Sequence, residues 1–297
     1  MDRDKMKNIQ SVGIIGLGLI GGSVAKDLKE KKPDLKLYGT DLSSGNAKVA
    51  LNLKLVDEVL NFEKLFKLKL DVIIICVPVN AIIEILGEVL THTPKDTIII
   101  DTGSTKSAIC KSVEHHAERQ RFVAAHPIAG TENAGPEAAI LNLFNSKVNI
   151  ICEPEKSSLQ ALTIARTIFN LLGMKEVEMN AEMHDKHLAY VSHLSHISSF
   201  MLASTVLNVE KEEQDIFKLA GSGFASTTRL AKSSPEMWSP IFSQNKEYLT
   251  AALDDYIQQL QLFQQHLKSN NAEALTELMK KSNQIRKVLE SLSSQIH

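Results

Sequence analysis

The segment 12–21 restricts the fold of this chain more than any other part of the sequence. A short β-branched run, Val12 to Ile15, leads directly into Gly16-Leu17-Gly18-Leu19-Ile20-Gly21 and a helical pattern over residues 19–31. The first glycine permits a tight turn, the second lets the backbone approach a pyrophosphate, and the third allows close packing of helix on strand. The helix N-terminus faces the phosphate charge. The segment therefore predicts a dinucleotide site formed by Gly16, Gly18, Leu19, Ile20 and Gly21.

Asp41 ends the second predicted strand, roughly 20 residues beyond the last of these glycines, where a carboxylate accepts hydrogen bonds from the adenosine ribose hydroxyls. The following Leu42-Ser43-Ser44 offers no arginine for a 2′-phosphate, and the carboxylate would repel one. We therefore predict NAD as the cofactor, with Val77 at the end of the next long strand as a further contact. The alternative is a plain glycine turn, with Asp41 as a helix cap or a surface charge.

The first half of the chain alternates β-branched runs with helical stretches, a pattern typical of a doubly wound parallel sheet with helices on both faces. Strands are predicted over 12–15, 35–40, 72–77, 97–101, 122–125 and 148–152, and helices include 19–31 and 81–90. From about Asn180 the pattern is helical, with helices predicted over 183–209, 211–220, 235–267 and 272–291. We predict an α/β fold with a Rossmann-type domain over 1–179, followed by an all-helical domain over 180–297.

Charge and cysteine content exclude several classes of protein. Lys and Arg total 33 against 35 Asp and Glu in 297 residues, which gives no electrostatic reason to bind nucleic acid or an anionic membrane. The longest apolar run, 72–77, is far shorter than the ~18 residues of a membrane span. The dispersed Cys76, Cys110 and Cys152 predict neither disulfides nor a zinc site and fit a reducing compartment. We expect a cytoplasmic protein that acts on a small molecule.

Two polar residues follow neighbouring predicted strands at the edge where open α/β sheets bind ligands. Ser104 follows the strand 97–101 and is either a site residue or the N-cap of the next helix. His126 follows the strand 122–125, and Pro127 turns the chain away from the sheet. A histidine with an ordinary pKa of about 6.5 can accept a hydroxyl proton while a hydride leaves the same carbon. Although a lone histidine is often structural, a dinucleotide site beside His126 favours catalysis.

The helical half contributes further candidates. His193 and His196 are three positions apart, so both can face one cleft. A metal cluster with His184 and His187 is the alternative, which we disfavour because no carboxylate joins them at a ligand-like spacing. For His193 we favour a hydrogen-bonded core position. A wide apolar arc over residues 249–263 favours a homodimer through this half.

These motifs together resemble one enzyme family, the prephenate dehydrogenases and the closely related arogenate dehydrogenases. The resemblance runs from about Val12 to Trp238, in order and at appropriate distances. The motifs are Gly-Leu-Gly-Leu-Ile-Gly-Gly-Ser from Gly16, Asp-Thr-Gly-Ser from Asp101, His-Pro-Ile-Ala-Gly-Thr-Glu from His126, Ser-His-Leu-Ser-His from Ser192, Thr-Thr-Arg-Leu-Ala from Thr227 and the later Met-Trp at Trp238.

The resemblance implies NAD-dependent oxidative decarboxylation of prephenate to hydroxyphenylpyruvate, in tyrosine biosynthesis. It implies that His126 bonds the ring hydroxyl and that Ser104 is its polar partner near the nicotinamide. Substrate contacts would come from Glu132 as a gating or pocket carboxylate, from His196, from Arg229 facing a carboxylate, and from Trp238 as a pocket neighbour. On its residue type alone, Arg229 is equally a solvated helix charge.

The sequence departs from the family pattern at two places. Ala225-Ser226 stands where many relatives carry a basic residue and an aspartate, and Ser195 replaces a common proline. Three rival functions stay open: arogenate dehydrogenase, whose substrate carries an amine in place of the ketone; a β-hydroxyacid dehydrogenase; and an NAD-sensing protein without turnover. The second is disfavoured because we find no convincing catalytic-lysine motif in the helical half.

Overall fold

The computed structural model of the chain describes residues 9–213 and 215–294. By its internal contacts, the chain divides into two compact units between Asn245 and Lys246.

One mixed sheet of eight strands forms the framework of the first unit, in the order β3-β2-β1-β4-β5-β6-β7-β8. The strands are β1 (Ser11–Ile15), β2 (Lys36–Thr40), β3 (Glu58–Val59), β4 (Val72–Ile75), β5 (Ile98–Asp101), β6 (Phe122–Pro127), β7 (Val148–Cys152) and β8 (Lys175–Met179). All neighbouring strands are parallel except β6 and β7, which pair antiparallel.

Helices cover both faces of this sheet. They are α1 (Leu19–Lys31), α2 (Ser44–Asn52), α3 (Phe62–Lys67), α4 (Val79–His92), α5 (Ser107–Ser112) and α6 (Leu159–Leu171). Every residue of β4 and β5 is buried, because alternate side chains enter one of two cores. One core packs alternate strand residues against α1 and α6, and the other packs the remaining residues against α4 and α5. The predicted doubly wound Rossmann-type fold is confirmed.

Two strands of the sheet were not predicted from the sequence. The strand β3 contains only two residues, too few for a recognisable pattern. The strand β8 reads Lys-Glu-Val-Glu-Met, and four of its five residues are exposed. Because it lies at the edge of the sheet, its charged side chains reach solvent.

The chain continues as α7 (Ala181–Leu188), a π-helical turn (Ala189–His193) and α8 (Leu194–Glu213), which together replace the single helix predicted over 183–209. The helix predicted over 211–220 is wrong, because a 3-10 turn (Ile216–Leu219) follows Asp215 with its φ of +77°. Residue 214 lies outside the described residues. Next come α9 (Ser222–Thr227), a 3-10 turn (Arg229–Lys232) and α10 (Pro235–Gln244).

The second unit consists of α11 (Lys246–Lys268), α12 (Ala272–Ser282) and α13 (Ile285–Ser294). The long helices predicted over 235–267 and 272–291 are each interrupted, at Asn245 and at residues 283–284. In the part of the chain that the structure describes, none of the helices has the length and apolar character needed to cross a membrane.

Candidate active site

The glycine loop after β1 has the backbone geometry that its sequence predicts. Gly16 has a φ of +92°, and a Cβ there would lie 2.5 Å from the carbonyl oxygen of Cys76. A Cβ on Gly21 would lie 2.0 Å from the carbonyl oxygen of Gly16. At Gly18 a Cβ would meet no atom of the protein within 4 Å. The first and third glycines are therefore required by packing, whereas the second borders open space at the N-terminus of α1, where a phosphate group fits.

Asp41 connects the end of β2 to this loop. Its Oδ2 accepts a hydrogen bond of 2.8 Å from the backbone N–H of Leu17, and its Oδ1 accepts one of 2.8 Å from the N–H of Ser43. The alternative in which Asp41 caps the next helix is wrong, because Ser43 is the N-cap of α2. Val77 also borders the loop, since its Cγ1 would lie 2.8 Å from a Cβ on Gly16. Asp41, Val77 and the glycine loop therefore fit a dinucleotide whose adenosine ribose carries free hydroxyl groups.

The strand register brings the candidate residues to one edge of the sheet. The last residue of β1, Ile15, is level with Ile75 of β4, Ile75 is level with Asp101 of β5, and Asp101 is level with Ala124 of β6. Gly16, Val77, Ser104 and His126 follow those four positions within three residues. The four residues therefore lie at the carboxyl edge of the sheet, where open α/β folds bind their ligands.

A fully buried ion pair lies beneath this edge. The ammonium of Lys106 contacts the carboxylate of Asp101 and donates a hydrogen bond of 2.7 Å to the carbonyl oxygen of Ala125, and both charged side chains are completely buried. The same carboxylate accepts hydrogen bonds from the backbone N–H groups of Gly103, at 2.8 Å, and Ala125, at 3.2 Å. The pair thus joins the loop that contains Ser104 to β6. This strand continues through His126 to Pro127, which pairs with Asn149 of β7, so the prediction that Pro127 turns the chain away from the sheet is wrong.

Ser104 is half-buried in this loop and does not cap the helix that follows. The helix α5 begins at Ser107, and the N–H groups of Lys106 and Ser107 donate hydrogen bonds of 2.7 and 2.9 Å to the carboxylate of Asp185. The N-cap alternative for Ser104 is therefore wrong, because a carboxylate from the distant helix α7 takes that place.

His126 is buried and belongs to a chain of hydrogen-bonded side chains. Its Nδ1 lies 2.8 Å from Nε2 of His184, whose Nδ1 lies 2.8 Å from Oδ1 of Asp185. Burial lowers the pKa of His126 well below its usual value, and the charges of His184 and Lys106 lower it further. Burial also lowers the pKa of His184, although Asp185 opposes this. Both histidines are therefore neutral at neutral pH.

A second group of aromatic rings lies between α8 and α10. The ring of His196 stacks on Trp238 at a centroid distance of 3.6 Å, and the ring of His193 meets the same indole edge-on at 5.9 Å. His193 is buried and hydrogen-bonded to Asn245 at 3.0 Å, which agrees with the core position favoured for it. The Nδ1 of His196 and the Nε1 of Trp238 are buried without a partner among the described residues. Burial, together with the nearby charge of Arg229, lowers the pKa of His196 to about 4.

Arg229 and Glu132 form an ion pair. The Nη1 of Arg229 lies 3.3 Å from Oε2 of Glu132, and the two side chains are 54% and 29% exposed. The backbone N–H of Glu132 and the Arg229 guanidinium lower the pKa of the Glu132 carboxyl. The structure therefore joins two residues that the sequence separates by almost a hundred positions.

Among residues 9–213 and 215–294, no three His, Cys, Asp or Glu side chains are placed to hold a metal ion. Of the histidines considered for a metal cluster, His184 bonds His126 and Asp185, and His187 is exposed.

Two family models cover most of the chain. The one described as prephenate dehydrogenase, nucleotide-binding domain, matches residues 24–178. The one described as prephenate dehydrogenase, dimerization domain, matches residues 180–281. The chain belongs to the prephenate dehydrogenase family.

Three relatives illustrate this family. A cyclohexadienyl dehydrogenase from Zymomonas mobilis is 32% identical over 96% of this chain and 98% of its own length. The crystal structure of prephenate dehydrogenase from A. aeolicus in complex with hydroxyphenyl propionate and NAD+ has 31% identity and a TM-score of 0.88, and the match covers 95% of this chain and 99% of that one. Arogenate dehydrogenase from Synechocystis has 27% identity and a TM-score of 0.75, over 94% and 100% of the two chains.

Within this family member, the structure adds residues that the sequence analysis did not select. They are Asp101 and Lys106, which form the buried pair, and His184 and Asp185, which continue the hydrogen-bonded chain from His126. Asp101 begins the motif that contains Ser104 and Lys106 follows two residues after it, so their proximity in sequence was a usable signal. The partnership of His184 with His126 spans 58 positions and had no signal in the sequence.

Proposed function

We propose that this dehydrogenase acts on prephenate and converts it to 4-hydroxyphenylpyruvate and carbon dioxide, as a step of tyrosine biosynthesis. The observation that carries the proposal is the buried, neutral His126 at the edge of the cofactor cleft, with Nδ1 engaged by His184. A neutral imidazole there can accept the proton of a ring hydroxyl.

NAD is the cofactor, and this chain's glycine loop and Asp41 are the residues that would hold it. The open space at Gly18 admits the pyrophosphate, and Asp41 retains lone pairs for ribose hydroxyls after accepting the two backbone hydrogen bonds. When bound, NAD+ supplies an acceptor for the hydride that leaves the ring carbon.

His126 and Ser104 contact the ring hydroxyl of the substrate in this proposal. The hydroxyl proton passes to the imidazole of His126 as the carbon becomes a carbonyl centre. Loss of the ring carboxylate as carbon dioxide then restores the aromatic ring, and the resulting phenolate recovers the proton from His126. The atoms and charges balance because the histidine ends as it began. Aromatisation drives the reaction, while the protein supplies alignment.

Arg229 binds the side-chain carboxylate of the substrate in this proposal. In the structure its guanidinium faces the Glu132 carboxylate, so a substrate carboxylate would compete with that residue. Guanidinium pairs bidentately with carboxylates, which would orient the substrate. His196, stacked on Trp238, presents an unprotonated ring near Arg229 and would line the same pocket.

Arogenate is the second candidate substrate, and Glu132 is the observation that favours it. Arogenate carries an ammonium group in place of the ketone of prephenate. Glu132 places a carboxylate beside Arg229, so a substrate with adjacent ammonium and carboxylate groups would meet charges of the complementary sign at both positions.

An absorbance assay of NADH formation with prephenate and arogenate, each with NAD and with NADP, tests the proposal. We expect the highest kcat/KM with prephenate and NAD, together with release of carbon dioxide. A higher kcat/KM with arogenate would transfer the assignment to the second candidate. Tight NAD binding without turnover of either substrate would contradict both and support an NAD-sensing protein.

We also propose the domain boundary at residues 179 and 180, a homodimer through the helical half, and a cytoplasmic location. Support for the dimer comes from the dimerization-domain family that residues 180–281 match and from apolar side chains exposed on α11, namely Ile257, Leu260, Phe263 and Leu267. Support for the location comes from the three cysteines, all of which are free thiols and fit a reducing compartment.

A further inference from the structure

A buried chain of three side chains connects α7 to the end of β6. Asp185 and His184 are neighbours on α7, both essentially without solvent exposure, and His184 reaches His126 across the interface. The two links, at 2.8 Å each, have ordinary hydrogen-bond lengths. The proposed chemistry assigns no proton transfer to His184 or to Asp185.

The charge of Asp185, at one end of these three hydrogen-bonded side chains, determines which ring nitrogen of His184 and of His126 carries a proton. Burial pushes the pKa of Asp185 upward, but hydrogen bonds from His184 and Ser107 outweigh this and lower it overall, so Asp185 is ionised at neutral pH. An ionised carboxylate only accepts hydrogen bonds, so Nδ1 of the neutral His184 carries its proton and Nε2 carries a lone pair. The 2.8 Å contact with His126 then requires a proton on Nδ1 of His126. It follows that Nε2 of the neutral His126 has a lone pair.

We propose that His184 and Asp185 are positioning residues for His126, which fix it in the tautomer with a basic Nε2 and stabilise its imidazolium during the reaction. This inference rests on the proposed function of His126 as the proton acceptor. When Nε2 takes the hydroxyl proton, the Nδ1–H bond to His184 strengthens, and the Nδ1–H of His184 in turn strengthens its bond to the Asp185 carboxylate. When the phenolate forms, it takes the proton back from Nε2 of His126.

Further hydrogen bonds to Asp185 hold these three side chains in place. The Asp185 carboxylate also accepts the backbone N–H groups of Lys106 and Ser107, and its carbonyl oxygen accepts a hydrogen bond of 2.7 Å from the side chain of Asn245. Lys106 lowers the pKa of His126, but its ammonium contacts the Asp101 carboxylate. His184 and His193 would lower the pKa of His126 only when protonated, and burial lowers the pKa of both. Asp185 is therefore the negative charge that stabilises a protonated His126 through His184.

The direct test measures the tautomers by NMR. Protein labelled with 15N in its histidine rings is studied at neutral pH, and the signal of residue 126 is assigned with His126→Asn. We expect a protonated Nδ1 and an unprotonated Nε2 for His126, and the same for His184. A proton on Nε2 of His126 would overturn the proposal. Because no substrate is needed, this result is independent of whether prephenate or arogenate is turned over.

Variants of His184 give the second test. His184→Phe keeps a ring but removes the acceptor, and we expect kcat to fall roughly 100-fold, within the range of general base catalysis, with an NADH Kd within about twofold of wild type. His184→Gln offers a carbonyl oxygen to the Nδ1–H of His126, so it should recover part of kcat and keep the His126 tautomer. His187→Phe on the exposed side of α7 is the matched control, with unchanged kcat expected.

Failure of the positioning role of His184 and failure of the proposed function would give different results. If His184→Phe kept the wild-type kcat and the wild-type His126 tautomer, the positioning role would be wrong while the proposed function stood. If wild-type protein turned over neither substrate while its histidines showed the expected tautomers, the proposed function would fail and the tautomer chain would remain. A His184→Phe protein with the wild-type melting temperature and NADH Kd, but reduced kcat, supports the proposal.

Discussion

Replacing Lys106 by methionine should destabilise the nucleotide-binding half of the protein strongly. Methionine keeps most of the apolar stem of lysine but removes the ammonium that contacts Asp101 and the carbonyl oxygen of Ala125. Both charged side chains are 0% exposed, so water cannot replace the lost partner without opening the structure. The Asp101 carboxylate would remain buried with only the backbone N–H groups of Gly103 and Ala125 as donors.

The expected loss is about 3 to 5 kcal/mol in the free energy of unfolding, the usual cost of removing one partner of a buried ion pair. That is a large part of a typical total stability of about 5 to 15 kcal/mol. The double variant Asp101→Asn with Lys106→Met removes both charges and should lose less than Lys106→Met alone, because no uncompensated charge stays buried. The difference between the two variants isolates the charge effect from the packing effect.

Urea denaturation followed by far-UV circular dichroism measures these losses. Lys95→Met is the matched control in the same unit, since Lys95 is 86% exposed and its partner Glu118 lies at 3.7 Å. We expect the control to change stability by less than about 1 kcal/mol. A loss below 1 kcal/mol in Lys106→Met, or a double variant less stable than the single one, would refute the reasoning.

Three further predictions concern the site. His126→Asn should lower kcat roughly 100-fold or more and leave the NADH Kd near the wild-type value, and an unchanged kcat would remove His126 from the chemistry. Arg229→Ala should raise KM for prephenate and cost about 1.5 to 3 kcal/mol in kcat/KM, with Arg229→Lys recovering only part; unchanged kinetics would make Arg229 a surface charge. Burial lowers the pKa of His193 to about 4, so below about pH 6.5 the unfolded chain binds more protons than the folded one. The unfolding free energy should therefore decrease as the pH is lowered from 7 to 5.5, by up to about 1.4 kcal/mol per pH unit for this group. A constant value would contradict the neutral, buried state of His193.

The sequence by itself determined the nucleotide-binding half of the fold and the edge of the sheet at which its candidate site residues lie. Glycine spacing, β-branched runs and the residue at the end of each strand are local signals, and a parallel sheet brings all its strand ends to one edge. The helix predicted over residues 19–31 agrees with α1. Gly16, Asp41 and His126 lie at the carboxyl edge of the sheet, as predicted. The same local pattern failed where side-chain partners end a helix, as at Asn245, whose amide bonds Asp185 and His193.

Only the tertiary structure decided how the site is held and where its protons lie. The antiparallel pairing of β7, the Asp185 cap on α5 and the contact of His184 with His126 each join segments that are remote in sequence. A neutral histidine can carry its proton on either of its two ring nitrogens, and the partner of one nitrogen sets the tautomer. For His126 that partner is 58 residues away, and its own state depends on the ionised Asp185, so the basic nitrogen could be identified only after the chain had folded.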